Sequence, residues 1–181
     1  MIKKQWLTLF LLLTMLIQAA CTAAVGTPAN SAEACPEVKD DLKLLMNTED
    51  GYCLLYPADY STNLPHFIVI NPITAPGDMP GEAWAFIQVE ATNGLNAAQV
   101  ADAAIAPLGA GFNITKSDIL IEGAQGVVVD GLPGQDSNRM IFIVKNDKLY
   151  TLTFAPWYPN ANDPTSLENL YTTIVQTLHF L

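Results

Sequence analysis

Positive charge is what this chain has least of. Its 181 residues hold eight lysines and arginines against eighteen aspartates and glutamates, a formal charge of −10. There is one arginine, Arg139, and there are two histidines, His66 and His179. Nucleic acid is held by basic side chains that displace counterions from phosphates, so no nucleic-acid partner is expected. Catalytic signatures are missing as well. No G-x-S-x-G elbow presents a serine, and no nucleophile–base pair is recognisable, so the chain reads as a non-enzyme. No CxxC or histidine-rich spacing points to zinc. Asp130-Gly-Leu-Pro-Gly-Gln-Asp136 lacks the D-x-[DN]-x-[DN]-G order of a calcium loop and reads as a solvated hairpin loop. No metal and no cofactor is expected. The N-terminal apolar run, Trp6 to Ile17, is twelve residues, short of the roughly twenty that span a bilayer.

That run is informative in another way. Met1-Ile-Lys-Lys is a basic start, Trp6–Ile17 has the length of a signal-peptide apolar region, and Gln18-Ala19-Ala20 leads to Cys21. The stretch resembles the lipobox of bacterial lipoproteins, with Gln18 where that family usually carries Leu and Ile17 one step early. The resemblance implies a diacylglyceryl group on the Cys21 thiol, cleavage before Cys21, and further acylation, palmitate-like chains that hold the protein on the cell membrane or envelope. Ordinary secretion with cleavage near Ala20 is the alternative. Removing residues 1–20 takes Lys3 and Lys4, leaving six basic residues against eighteen acidic ones. Thr22 to Ala34 is small, polar and without periodicity, a tether. The resulting division is a signal peptide over 1–20, a lipidated tether over 21–35 and one domain over 36–181.

Cysteine arithmetic agrees with that division. Three cysteines leave an odd thiol, which is unexpected in an exported protein. If Cys21 carries lipid, Cys35 and Cys53 remain as a pair. Export allows a disulfide between them; two buried free thiols are the other reading.

Within the domain, Val38, Leu42 and Leu45 fit a short helix over Pro36–Met46, or that stretch is an irregular arm pinned at Cys35. Asn47–Gly51 reads as a turn, Tyr52–Tyr56 and Phe67–Asn71 as strands, and 72–82, with its prolines and glycines, as a loop. Ala83–Thr92 is a strand with Trp84, Phe86, Gln88 and Glu90 on one face. Asn96 caps a helix reaching Leu108, with Val100, Ala103, Ala104 and Leu108 on its packed face. Ile114–Glu122 and Gly126–Asp130 are strands. Arg139–Lys145 and Leu149–Phe154 form a hairpin about Asn146-Asp147. Asp163-Pro164 starts a final helix with a stripe of Leu167, Leu170, Tyr171, Ile174 and Leu178, running to the last residues with His179 in its last turn.

Strands first and last around a central helix give an α+β class, an antiparallel β-sheet flanked by helices. The run Gly51-Tyr-Cys-Leu-Leu-Tyr-Pro-Ala-Asp-Tyr, the central helix, the strand pair and the close on Leu178-His-Phe-Leu resemble the PsbP/Mog1-like superfamily, including lipoproteins of DcrB/LpqN type. That resemblance implies the same α+β fold and an accessory or binding role rather than one enzyme class. An unidentified envelope protein is the expected partner; a small ligand or metal delivered to a transporter is the second reading. For binding, the candidates are Arg139, paired with Asp130 or Asp136 or open as an anion clamp, with Trp84 or Trp157 as a wall, and Trp157-Tyr158 as an aromatic rim.

Overall fold

The fold grows from the hairpin of β8 (Arg139–Lys145) and β9 (Lys148–Ala155). Its two-residue turn holds Asn146 at φ 51° and Asp147 at φ 59°. Left-handed backbone at both central positions matches the twist of a tight hairpin, and Asn and Asp tolerate it better than other non-glycine residues. The structure, a computed structural model, describes residues 35–39, 41–64, 67–70, 83–134, 137–157 and 165–181. Around the hairpin, β3 (Tyr60–Leu64), β4 (Phe67–Ile70), β5 (Trp84–Ala91), β6 (Thr115–Ile121) and β7 (Ala124–Asp130) complete a seven-stranded antiparallel sheet of order β3-β4-β5-β9-β8-β7-β6. A smaller antiparallel sheet is ordered β1-β2-β10, from β1 (Leu42–Asn47), β2 (Tyr52–Pro57) and β10 (His179–Phe180). Among the described residues two helices, α1 (Ala97–Ile105) and α2 (Thr165–Thr177), make the class α+β.

Residues opposite one another in an antiparallel pair share a face. Ile141 and Ile143 therefore point the same way as Leu152, Tyr150 and Ile87. On this face they meet Leu167, Leu170, Ile174 and Leu178 of the α2 region and Tyr52, Leu54 and Tyr56 of β2, forming the main core. The stripe read from the sequence is thus the one that packs. Each such side chain, fully buried, contributes about 1.5–3 kcal/mol of transfer free energy. The other face carries Val127, Val129, Phe142 and Leu149 under α1. Asn96 and Gln99 cap α1 reciprocally at 2.9 Å each, satisfying two amide groups that the first turn leaves open. Ala97 and Ala101, not Ala103, are the alanines that α1 buries.

The turn before β2 joins the two sheets. Lys148 Nζ and the Tyr150 hydroxyl donate to the Asp50 carbonyl at 2.8 and 3.1 Å, and the Leu181 amide donates to the Gly51 carbonyl at 2.9 Å. Tyr150 packs edge-on against both Tyr52 and Phe180.

Three expectations change. The Pro36–Met46 segment is no helix: 36–39 is irregular and Leu42–Asn47 is a strand, because pairing with β2 outweighs the helical spacing of Val38, Leu42 and Leu45. Tyr60–Leu64, to which the sequence assigned no element, is the edge strand β3. The last helix stops at Thr177, and His179-Phe180 turn into β10 against Cys53 and Tyr52. His66, the 72–82 loop, Asp136 and the Asp163-Pro164 start lie outside the described residues.

Candidate functional site

Arg139 opens β8 directly opposite Asp130, the last residue of β7. The pairing puts both side chains on the α2 face, and the guanidinium meets the carboxylate as a fork: Nε donates to Oδ1 at 2.8 Å and Nη2 to Oδ2 at 2.7 Å. Trp157 follows β9 and is held by its amide, which donates to the Ser137 carbonyl at 2.7 Å. Its ring lies 3.8 Å under the guanidinium carbon, and the Tyr171 ring of α2 is 4.9 Å away. Trp157 and Tyr171 also touch each other, with centroids 5.4 Å apart. Asp130, Trp157 and Tyr171, from three other segments, therefore converge on one cation.

The group is built closed. The Arg139 and Asp130 side chains are 21% and 26% exposed, and Trp157 is 8% exposed. Burial disfavours the guanidinium charge, but the hydrogen bonds and charge of Asp130, with Tyr171, outweigh it and raise the Arg139 pKa above its ordinary value. A bidentate charge-assisted pair capped by aromatic faces is a strong local fixture. It leaves little of the cation to grip a ligand. Of the two partners expected for Arg139, Asp130 is in place, and Asp136 lies outside the described residues.

Trp84 does not assemble with it. Trp84 pairs with Ala155, one position out of phase with the Phe154–Arg139 pair, so its side chain lies on the opposite face of the large sheet. It forms no wall for Arg139. Trp157 is a wall but not a rim, since it is buried beneath Arg139 and Tyr171. Tyr158 and Cys21 fall outside the described residues. Cys35 and Cys53 are joined as a disulfide with Cα atoms 5.9 Å apart, and Cys53 is fully buried.

A second polar cluster was not legible in the sequence. The β6–β7 turn holds Glu122 in left-handed backbone, φ 49°. One of its carboxylate oxygens pairs with His179 Nδ1, and the other accepts the Phe180 amide at 2.8 Å. Glu122 and His179 line a cleft of about 240 Å³ with Pro36, Gln176 and Thr177. The two residues are 57 positions apart, and only the non-local β10 pairing brings them together. Drug-sized ligands generally occupy about 300–1,000 Å³, so the cleft suits at most a small polar molecule. Among the described residues no three metal-ligating side chains cluster.

On the large sheet, α1 packs mainly over β7 and β8. The same face of β5 and β9 presents Trp84, Phe86, Thr151 and Thr153, with Phe86 37% exposed. No helix among the described residues is long and apolar enough to cross a membrane.

No protein-family model matches the chain, and no curated protein does. It is similar to the solution structure of cyanobacterial PsbP (CyanoP) from Synechocystis sp. PCC 6803, with a TM-score of 0.45 and 15% identity over 81% of this chain and 97% of that one. A second likeness is to the crystal structure of a Pseudomonas aeruginosa protein of unknown function, with a TM-score of 0.37 and 19% identity over 62% of this chain and 81% of that one.

Proposed function

We propose that this protein is an extracytoplasmic lipoprotein, held by acyl chains on Cys21, whose α+β domain is a non-enzymatic binding module for another envelope protein. The observation that carries the anchor is the partition of the cysteines. Cys35 is spent on Cys53, which leaves Cys21 as the unmatched thiol, directly behind a signal-like apolar run. A disulfide also fits an oxidising compartment. The binding role is supported by the closure of Arg139 against Asp130, Trp157 and Tyr171. The most distinctive cation of the chain is thereby employed in packing, whereas Phe86 on the β5–β9 strip is 37% exposed.

The small-ligand alternative is favoured by one feature, the Glu122–His179 cleft. Two experiments separate these readings. Cys21→Ser should move the protein from the membrane to the soluble fraction; unchanged membrane retention contradicts the anchor. Crosslinking on intact membranes followed by pull-down should recover one envelope protein in defined ratio. A thermal shift with a small acid or a metal ion that disappears in Glu122→Gln would favour the cleft instead.

A further inference from the structure

Strand β6 ends the seven-stranded sheet, and among the described residues it pairs with β7 alone. Its side chains are open to solvent: Thr115, Lys116, Ser117 and Asp118 are exposed, and Leu120 is 66% exposed, the most of any large apolar side chain described. The far end of the sheet differs, because Lys43 of β1 donates to the Tyr60 carbonyl of β3 at 2.8 Å. An open strand edge offers backbone amides and carbonyls to another strand, and proteins commonly guard it with a lysine. Lys116 alone would be such a guard. Lys116 with Asp118 is not, because two copies of the strand can set these charges against each other. Both lie on one face of β6, opposite Val129 and Val127 of β7 and toward α1, whereas Ser117 lies opposite Val128 on the main-core face.

Two copies of one strand that pair antiparallel about a twofold axis normal to the sheet place one residue opposite itself, and residues equally far to either side opposite one another. The central registers differ in charge. An axis at Lys116 brings two ammonium groups together, and an axis at Asp118 brings two carboxylates together. An axis at Ser117 sets each Lys116 opposite the Asp118 of the other copy and each Leu120 opposite the other copy's Ile114. Opposite charges and apolar pairs directly across are favourable, and like charges are not. We propose that the protein self-associates through this edge, β6 against β6 of a second copy with the axis at Ser117, so that two large sheets continue as one. Lys116 also pairs with Asp102 of α1, but it is still 39% exposed, and an ammonium has three donors. Strand β1, another edge, has Lys43 and no acidic residue, so it has no such self-complementary register. The net charge of −10 opposes association at long range, but it is screened beyond about 8 Å at physiological ionic strength. One strand edge is a small contact, so the dimer is weak. The proposal is independent of the lipid anchor and of the envelope partner.

Disulfide trapping on the purified full-length chain in nonionic detergent tests this, because a covalent link detects a weak contact. With the axis at Ser117, the two Ser117 Cα atoms are about 4.5–5.5 Å apart, within the span of a disulfide. Ser117→Cys should therefore run at twice the chain mass after mild oxidation and at the single mass after reduction. Thr115→Cys, also exposed, is four residues out of register with its own copy, about 13 Å along the strand, and should give severalfold less dimer. Adding Lys116→Glu to Ser117→Cys sets carboxylates opposite Asp118 and should cut the trapped fraction severalfold. Adding Asp118→Lys as well should restore it. No dimer from Ser117→Cys, in protein whose melt matches the parent, overturns the pairing. Equal dimer at 115 and 117 is random collision and overturns it too, and a charge reversal that Asp118→Lys fails to rescue rejects the register. If Ser117→Cys on intact membranes joins a different protein and not a second copy, the edge belongs to that protein and the self-association is wrong. Sedimentation of the unsubstituted chain is a readout free of any variant: a reversible dimer should appear as concentration rises, and monomer up to the millimolar range contradicts it.

Discussion

Arg139 carries the clearest residue-level consequence. Its fork to Asp130 is less than one third exposed on either side, so losing one partner strands the other. Asp130→Ala should cost about 1.5–3 kcal/mol in chemical denaturation, the range of hydrogen bonds to charged groups. Arg139→Lys should also destabilise, since an ammonium cannot reproduce the two-pronged contact or the flat stack on Trp157. Neither change should alter membrane retention. Tyr52 offers a pH readout. Burial pushes its hydroxyl up to about 12, opposed by a hydrogen bond with Asn47 and assisted by the charges of Asp50 and Tyr150. Burial and Asp50 likewise raise Tyr150. A tyrosine raised in the fold releases its proton in the unfolded chain first. Stability is therefore full below pH 10 and falls as pH rises from 10 to about 12. Denaturant melts across that window should show the loss, and Tyr52→Phe should reduce its slope. A flat profile contradicts the assignment.

Elements show why some of the fold was legible and some was not. The β8–β9 hairpin, α1 and α2 declare themselves through local signals: Asn146-Asp147 at the turn, Asn96 at the cap, and Leu167, Leu170 and Ile174 at helical spacing. Strands β1, β3 and β10 do not. In β1 the leucines mimic a helix, β3 is the polar Tyr-Ser-Thr-Asn-Leu, and β10 is two residues long, so each is defined by a partner rather than by its own pattern. The site followed the same rule. The Asp130–Arg139 pair came from neighbouring strands and was readable, whereas Glu122–His179 depended on β10. Gly131 is a sharp test of the β7 end. Its φ is +85°, and a Cβ there would sit 2.5 Å from the Asn113 carbonyl oxygen. Both the left-handed backbone and the clash oppose a side chain. Gly131→Ala should lower stability by more than about 2 kcal/mol, where an alanine at an unstrained turn glycine is neutral or stabilising.

For the whole molecule, charge and covalent constraint decide the behaviour. Most of the basic groups left after residue 20 are engaged within the domain. Lys43 donates to the Tyr60 carbonyl, Lys116 pairs with Asp102, Arg139 with Asp130, and Lys148 donates to Asp50. The acidic excess therefore sets the outward charge of the domain. The Cys35–Cys53 bond closes a loop of sequence separation 18. By chain entropy its loss should cost about 3 kcal/mol, read as the difference between melts with and without reductant. One cysteine proposed as the anchor and one closed pair are addressed by a single spectrum. Intact-mass analysis of protein extracted from membranes should give a chain beginning at Cys21 and carrying acyl groups, with the mass of two hydrogens added only on reduction. A chain that begins elsewhere, with Cys21 absent or unmodified, would contradict the anchor.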